Sequence, residues 1–219
     1  MIRHDHASSQ GRPIHAWPIR VTHWLNALCM VAMFMSGWGI YNASPLFPFT
    51  FAPALTLGGW LGGSIAWHFA VMWALAINGL CYLVYGIFSH HFRRDFLPLS
   101  PRAVVTDLGT ALRFKLTHRL GHYNAVQKLL YVMVVLLGLL VVLSGLAIWK
   151  PVQFQTLTAL LGGFDTARYV HFCAMAGIGA FVIVHLALVM LVPETLPPML
   201  TGRAWRHYRT TEEHDHEQI

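Results

Sequence analysis

Four histidines lie inside long apolar stretches of this chain, and they are the side chains best suited to chemistry there: His23, His68, His171 and His185. Ionisable side chains inside a bilayer are costly and rare, so each marks a candidate functional site. A lone intramembrane histidine is explained as well by a hydrogen bond between helices. The same stretches contain no Asp or Glu, which argues against a proton relay. The set is typical of neutral imidazoles that ligate haem iron.

The spacing of two of these histidines favours two haems over one metal ion. His171 and His185 are 14 residues apart on one predicted helix. At about 100° per residue they face nearly the same way, and at 1.5 Å per residue they are separated by about 21 Å along the axis. That distance suits two stacked haems and is too long for two ligands of one metal ion.

The depth of each histidine in the membrane predicts its partner. His68 and His171 lie at the outer starts of their stretches, so we expect them to share an outer haem. His23 and His185 lie toward the cytoplasmic side, so we expect them to share a second haem there. Each iron would be six-coordinate with two imidazoles, which favours electron transfer over oxygen binding.

Two arginines and a glycine also suit a haem site. Arg20 and Arg168 each precede a histidine by three residues on one helical face. A guanidinium there can pair with an anionic haem propionate, although an ordinary interfacial role is the alternative. Gly37 lies 14 residues after His23, at the height of the other haem. A residue without a side chain lets a flat macrocycle, or another helix, approach closely.

Four apolar stretches are long enough to carry these histidines across a bilayer. A spanning helix needs about 20 apolar residues, and the stretches cover residues 20–41, 65–89, 129–149 and 168–192. Hydrophobic residues make up 56% of the chain and charged residues only 11%, against about 25% charged in soluble domains. A membrane barrel would instead show short alternating segments. We therefore predict an all-α transmembrane four-helix bundle.

The distribution of positive charge predicts the orientation of the bundle. Of the 15 Lys and Arg residues, all but Lys150 and Arg168 lie within residues 1–20, 93–128 and 203–209. The positive-inside rule therefore places both termini and the middle loop in the cytoplasm. The predicted organisation is a cytoplasmic tail (1–19), a di-haem membrane domain (20–195, with a cytoplasmic loop at 90–125) and a second cytoplasmic tail (196–219). The segment 42–64 is expected to lie along the outer interface.

The three cysteines add no site of their own. They lie singly within apolar stretches, at Cys29, Cys81 and Cys173. None belongs to a C-x-x-C or C-x-x-C-H pattern, so the sequence predicts no disulfide framework, no thiolate metal site and no covalently attached haem.

Four motifs resemble the bacterial di-haem cytochrome b561 superfamily. They are R-V-T-H-W at 20–24, A-W-H-F at 66–69, G-H-Y-N-A-V-Q-K at 121–128 and H-x13-H from 171 to 185. In these motifs the chain resembles the b-type cytochrome subunits of nickel-iron hydrogenase, formate dehydrogenase and thiosulfate reductase. The resemblance implies a multi-pass inner-membrane protein with two b haems. It would carry electrons between the quinone pool of a respiratory chain and a redox partner on the periplasmic side.

The third motif implies a quinone site. In members similar to formate dehydrogenase, a G-K-Y-N-x-x-Q-K segment helps to form it, which carries over to Asn124, Gln127 and Lys128, beside His185. This polar turn offers amide and ammonium donors to a quinone carbonyl, and a helix start capped by Asn124 explains it equally well. His122 stands where many relatives have lysine. It could exchange protons with quinone or be a spectator.

Three functions remain open from the sequence. The favoured one is an electron-transfer subunit that links quinone to a periplasmic or membrane-associated oxidoreductase. The second is a stand-alone superoxide:quinone oxidoreductase of cytochrome b561 type. Lys150 and Arg168 are the only basic residues on the predicted outer face, so the field that would steer an anion there is thin. The third is a helical scaffold with structural histidines, which would show no haem spectrum.

Overall fold

Helices make up nearly all of the regular structure in the part of the chain that the computed structural model describes. It describes residues 16–88, 125–193 and 196–202, with backbone alone for residues 125–129 and 131. The helices are α1 (Trp17–Ala43), α2 (Leu61–Phe88), α3 (Ala125–Trp149), α4 (Gln155–Leu160), α5 (Phe164–Leu191) and α6 (Leu196–Thr201), with a 3-10 turn at Pro53–Leu55. These residues contain no strand, and the predicted loop at 90–125 falls almost wholly outside them.

Four of the helices are long and apolar enough to cross a membrane. These are α1, α2, α3 and α5, with lengths of 27, 28, 25 and 28 residues. The predicted all-α membrane bundle is therefore confirmed. Three of these helices begin four residues before their apolar stretch, and α1 begins three residues before its own. The difference arises because hydropathy marks the hydrocarbon core, whereas the hydrogen-bonded helix continues into the interface.

The long helices pack as two pairs, α1 with α2 and α3 with α5. The side chains most deeply buried within these pairs are small, notably Ser36, Ser64, Ser144, Ala147 and Ala167. Small residues let membrane helices approach closely, because apolar side chains gain nothing by leaving lipid. Backbone approach is closer within each pair than between the pairs.

The two ends of the bundle are named here by what they hold. The loop end carries the connections 44–60 and 150–163, and the terminal end carries the start of α1 and the end of α5. At the loop end, the Asn42 side chain bonds both backbone groups of Phe51, at 2.8 Å each. The Leu57 amide donates to the Met35 carbonyl at 3.0 Å. The first connection is therefore folded back onto α1 rather than extended over the surface.

At the terminal end, α6 is bound to the first turns of α1. Arg20 donates from its guanidinium to the backbone carbonyls of Met199, at 3.4 Å, and of Leu200. The Trp24 indole nitrogen donates to the same Met199 carbonyl at 3.2 Å, and Pro198 is fully buried. Residues 196–201, which the sequence assigns to a tail, thus form a helix that packs against the bundle.

Candidate functional site

The four intramembrane histidines meet as two pairs, one toward each end of the bundle. His68 of α2 faces His171 of α5, with ring centres 6.4 Å apart and planes at 63°. His23 of α1 faces His185 of α5, with ring centres 6.2 Å apart and planes at 67°. The structure therefore brings together the same partners that depth in the membrane suggests. One helix, α5, supplies a histidine to both pairs.

The separation within each pair fits one metal ion between two imidazoles. Imidazole nitrogens lie about 2.0 Å from a bound metal, which places the two ring centres roughly 6 Å apart. No group of three or more His, Cys, Asp or Glu side chains comes together among the described residues. Two protein ligands are too few for a structural zinc site, which takes four. They are the number that haem iron takes from a protein when both its axial positions are filled.

The His171 ring is held through its Nδ1 atom. Nδ1 lies 3.0 Å from the Val141 carbonyl and 3.1 Å from the Ser144 hydroxyl. That hydroxyl lies 2.6 Å from the Leu140 carbonyl, to which it donates its proton. A carbonyl can only accept, so Nδ1 carries the proton of the neutral ring. Nε2 is then the bare nitrogen, as an iron ligand requires.

The His68 ring is held in the same way by a different helix. Its Nδ1 lies 3.0 Å from the Ser36 hydroxyl, which donates to the Ala32 carbonyl at 2.7 Å. The Met33 carbonyl also bonds this ring. In both cases the acceptors are a serine hydroxyl and the carbonyl three residues before that serine.

Sequence reasoning missed both serines, although the chain carries a signal for them. The segments S-G-W-G-I-Y (36–41) and S-G-L-A-I-W (144–149) share the pattern S-G-x-x-I-aromatic. One lies near the end of α1 and the other near the end of α3. The repeat is short and divided by more than 100 residues, but each copy lies opposite a histidine of the neighbouring helix.

The glycine after each serine lies against the same histidine. A Cβ added to Gly37 would lie 3.6 Å from Cε1 of His68, and one added to Gly145 would lie 3.3 Å from Cε1 of His171. Gly37 is therefore at the height that the sequence suggests, beside the histidine of the other pair. Gly145 was not identified from the sequence.

The two arginines selected from the sequence bond to the backbone of neighbouring elements. Arg168 donates to the backbone carbonyl of Ser44, at 2.6 Å, and to its hydroxyl, at 3.1 Å. Arg20 donates to α6, as described above. Both side chains stabilise the ends of helices, where carbonyls lack partners within the helix. Their pairing with haem propionates remains a prediction.

The quinone residues selected from the sequence are described only in part. His122 and Asn124 lie outside the described residues. Gln127 and Lys128 lie in the first turn of α3, with backbone alone described. Because α3 begins where α5 ends, this turn and His185 are both toward the terminal end. Their part in a quinone site remains a prediction.

Two known proteins are similar to this chain over most of its length. The chain is 53% identical over 190 residues to a protein of Azospira oryzae named "Putative protein-methionine-sulfoxide reductase subunit YedZ1", an alignment that covers 86% of this chain and 96% of that one. It is 26% identical over 190 residues to a "Probable Ni/Fe-hydrogenase B-type cytochrome subunit" of Cupriavidus necator, covering 78% of this chain and 76% of that one.

A family model described as prokaryotic cytochrome b561 matches residues 14–202. The match spans all four long helices, both histidine pairs and α6. Proteins of this family bind b-type haem, and the four apolar helices make this chain a multi-pass protein of the bacterial inner membrane. The chain belongs to the prokaryotic cytochrome b561 family.

Proposed function

We propose that this chain is a two-haem electron-transfer subunit that carries electrons between the quinone pool and a protein-methionine-sulfoxide reductase on the periplasmic side. The observation that carries the proposal is the geometry of the two histidine pairs, with ring centres 6.4 Å and 6.2 Å apart. Each pair would hold one b haem, which supplies reversible one-electron chemistry when bound. Two histidines would then bind each iron, which favours electron transfer over oxygen binding.

The choice of partner rests on the 53% identity to the putative reductase subunit, which covers nearly the whole of that relative. The identity to the hydrogenase cytochrome is half as high. Reduction of a methionine sulfoxide to the thioether takes two electrons and two protons and releases water. Oxidation of a quinol to a quinone supplies two electrons and releases two protons, so the two half-reactions balance. In this scheme the chain transfers the electrons across the membrane from quinol to the reductase.

The quinone is proposed to bind at the terminal end, near the start of α3. Asn124, Gln127 and Lys128 would offer donors to its carbonyls, and His122 would exchange protons with the cytoplasm. Support comes from topology, because the first turn of α3 and His185 belong to the same end. Quinone chemistry needs protons as well as electrons, and protons are available only at an aqueous face.

Haem stoichiometry and ligand replacement test the two-haem arrangement. The purified chain should contain two haems, extractable with acidic acetone because the sequence has no C-x-x-C-H pattern for covalent attachment. His171→Ala should remove the same spectral component as His68→Ala, and His185→Ala the same component as His23→Ala. The reduced-minus-oxidised spectrum and the pyridine haemochrome content measure both. A preparation with one haem per chain, or loss of one component in both His23→Ala and His171→Ala, would contradict the pairing.

The partner and quinone assignments are tested by reconstitution. Vesicles with the chain and quinol, supplied with a periplasmic protein-methionine-sulfoxide reductase, should reduce a methionine-sulfoxide peptide. Gln127→Leu should slow haem reduction by quinol at least tenfold with both haems bound, while Val152→Ala, an exposed change in the 150–163 connection, should leave the rate unchanged. Turnover with hydrogen or superoxide in place of quinol, and none with the sulfoxide peptide, would refute the partner.

A further inference from the structure

Ser36 and Ser144 lie on different helices, yet their hydroxyls approach the two histidines of one pair. Resting on the two-haem arrangement proposed above, we propose that both are positioning residues that lower the reduction potential of the single haem between His68 and His171. Neither serine touches the iron in this scheme. Each acts through the imidazole that it bonds.

Toward the imidazole, both serines accept a hydrogen bond rather than donate one. Ser144 lies 2.6 Å from the Leu140 carbonyl and Ser36 lies 2.7 Å from the Ala32 carbonyl. The single hydroxyl proton of each serine is directed to that carbonyl, because a carbonyl has none to offer. The lone pairs of the hydroxyl oxygen then face the imidazole Nδ1, at 3.1 Å for His171 and 3.0 Å for His68.

The surroundings of each serine suit it to accept this hydrogen bond. Both serines are fully buried, so water does not compete for the imidazole proton. The glycine after each serine lies against the ring: a Cβ at Gly145 would crowd His171 at 3.3 Å, and one at Gly37 would be in ordinary contact with His68 at 3.6 Å. Hydroxyl, glycine and histidine therefore occur in the same arrangement on both sides of one site.

The hydrogen bonds at Nδ1 would change the reduction potential of a bound haem. An imidazole whose Nδ1 proton is held by acceptors becomes a more basic ligand through Nε2. A more basic ligand stabilises ferric over ferrous iron, so the reduction potential falls. Because both axial ligands of the same iron are held in this way, the two contributions add at one haem. The backbone carbonyls beside each serine also accept, so loss of one hydroxyl removes only part of the effect.

The second histidine pair has a different surrounding. His185 stacks on the Phe181 ring, with centres 5.9 Å apart and planes at 15°. His23 meets Trp24 edge to face at 5.6 Å. Ser36 and Ser144 belong to the loop end, so a change in either leaves this pair alone. Both serines therefore act on one of the two histidine pairs.

Potentiometric titration of the full-length, two-haem protein tests the proposal. Ser36→Ala and Ser144→Ala should each raise the midpoint potential of one spectral component, and of the same one, with a larger rise in the double variant. That component should be the one missing from His171→Ala. Electron paramagnetic resonance of the oxidised protein should show altered g values for one low-spin haem only. Ser144→Thr, which keeps a hydroxyl, should return the midpoint toward the wild-type value.

Ser64→Ala is the matched control. Ser64 is equally buried and lies one turn before His68, but its hydroxyl donates to the Leu57 carbonyl at 2.8 Å. Its removal should leave both midpoints unchanged. If the alanine variants do not assemble, Ser144→Cys should give the same rise, because a thiol is a weaker acceptor. Unmoved midpoints, or shifts of different haems, would overturn this inference. One haem per wild-type chain would instead overturn the two-haem proposal itself.

Discussion

At Gly145 the missing side chain determines how closely α3 can approach His171. A Cβ there would lie 3.3 Å from the ring, and the two further methyl groups of valine would reach beyond it. Overpacking of this kind costs about 1–3 kcal/mol and displaces the neighbouring side chain. Gly145 thus provides space for the His171 ring rather than flexibility in the helix.

We therefore predict that Gly145→Val displaces His171 and lowers haem content by about half, through loss of the component that depends on His171. Gly138→Val is the control. It lies two turns earlier on the same helix, and a Cβ added there meets nothing within 4 Å. Haem content per chain and the reduced spectrum are the measurements. Equal haem content in the two variants would mean that the space at Gly145 plays no part in holding the ring.

At the scale of helices, Asn78 joins α2 to α1 beside His23, a proposed haem ligand. Its amide nitrogen donates to the Thr22 carbonyl at 2.9 Å, and its side chain is buried. Thr22 immediately precedes His23, so this bond fixes the backbone that carries the ligand. Hydrogen bonds between membrane helices contribute about 0.6–2 kcal/mol.

Asn78→Leu, close in volume but unable to donate, should lower the free energy of unfolding by about 1 kcal/mol. The midpoint of thermal haem loss in detergent measures the change, and the component that depends on His23 should be lost first. Leu80→Ala, on the exposed face of the same helix, should change this midpoint by less. A midpoint for Asn78→Leu equal to that of the wild type would show that this hydrogen bond does not help to position His23.

At the scale of the whole molecule, charge rather than packing determines which end faces the cytoplasm. The loop end carries Lys150 and Arg168 as its basic residues, and the remaining 13 of the 15 belong to the other side of the predicted topology. Basic residues are retained on the cytoplasmic side during insertion. The loop end should therefore face the periplasm, where the proposed reductase would dock.

Reporter fusions to the full-length chain check this orientation. A fluorescent protein fused after Ile219 should fluoresce, and alkaline phosphatase at the same place should be inactive. A cysteine introduced at the exposed Val152 should react with a membrane-impermeant maleimide added to intact spheroplasts. An active C-terminal phosphatase would reverse the topology and, with it, the side assigned to the quinone.

The sequence by itself predicted the four long helices and the position of each histidine along its helix, because these depend only on helix rise and on the length of each apolar stretch. A helix rises by a fixed distance per residue, so 14 positions between His171 and His185 already separate two sites. A bilayer core requires about 20 apolar residues, so the spans were visible as stretches. Helix ends were misplaced by up to four residues, since hydropathy does not mark them.

Only the tertiary structure decided what each histidine touches. The contacts of Ser144 with His171 and of Ser36 with His68 join residues 27 and 32 positions apart, and that of Arg168 with Ser44 spans 124. They depend on how each helix is rotated and which helix it packs against, which no periodicity within one helix specifies. Serine in a membrane helix usually bonds its own backbone. The second bond, to a histidine, exists only because the packing of α1 with α2 and of α3 with α5 brings the ring there.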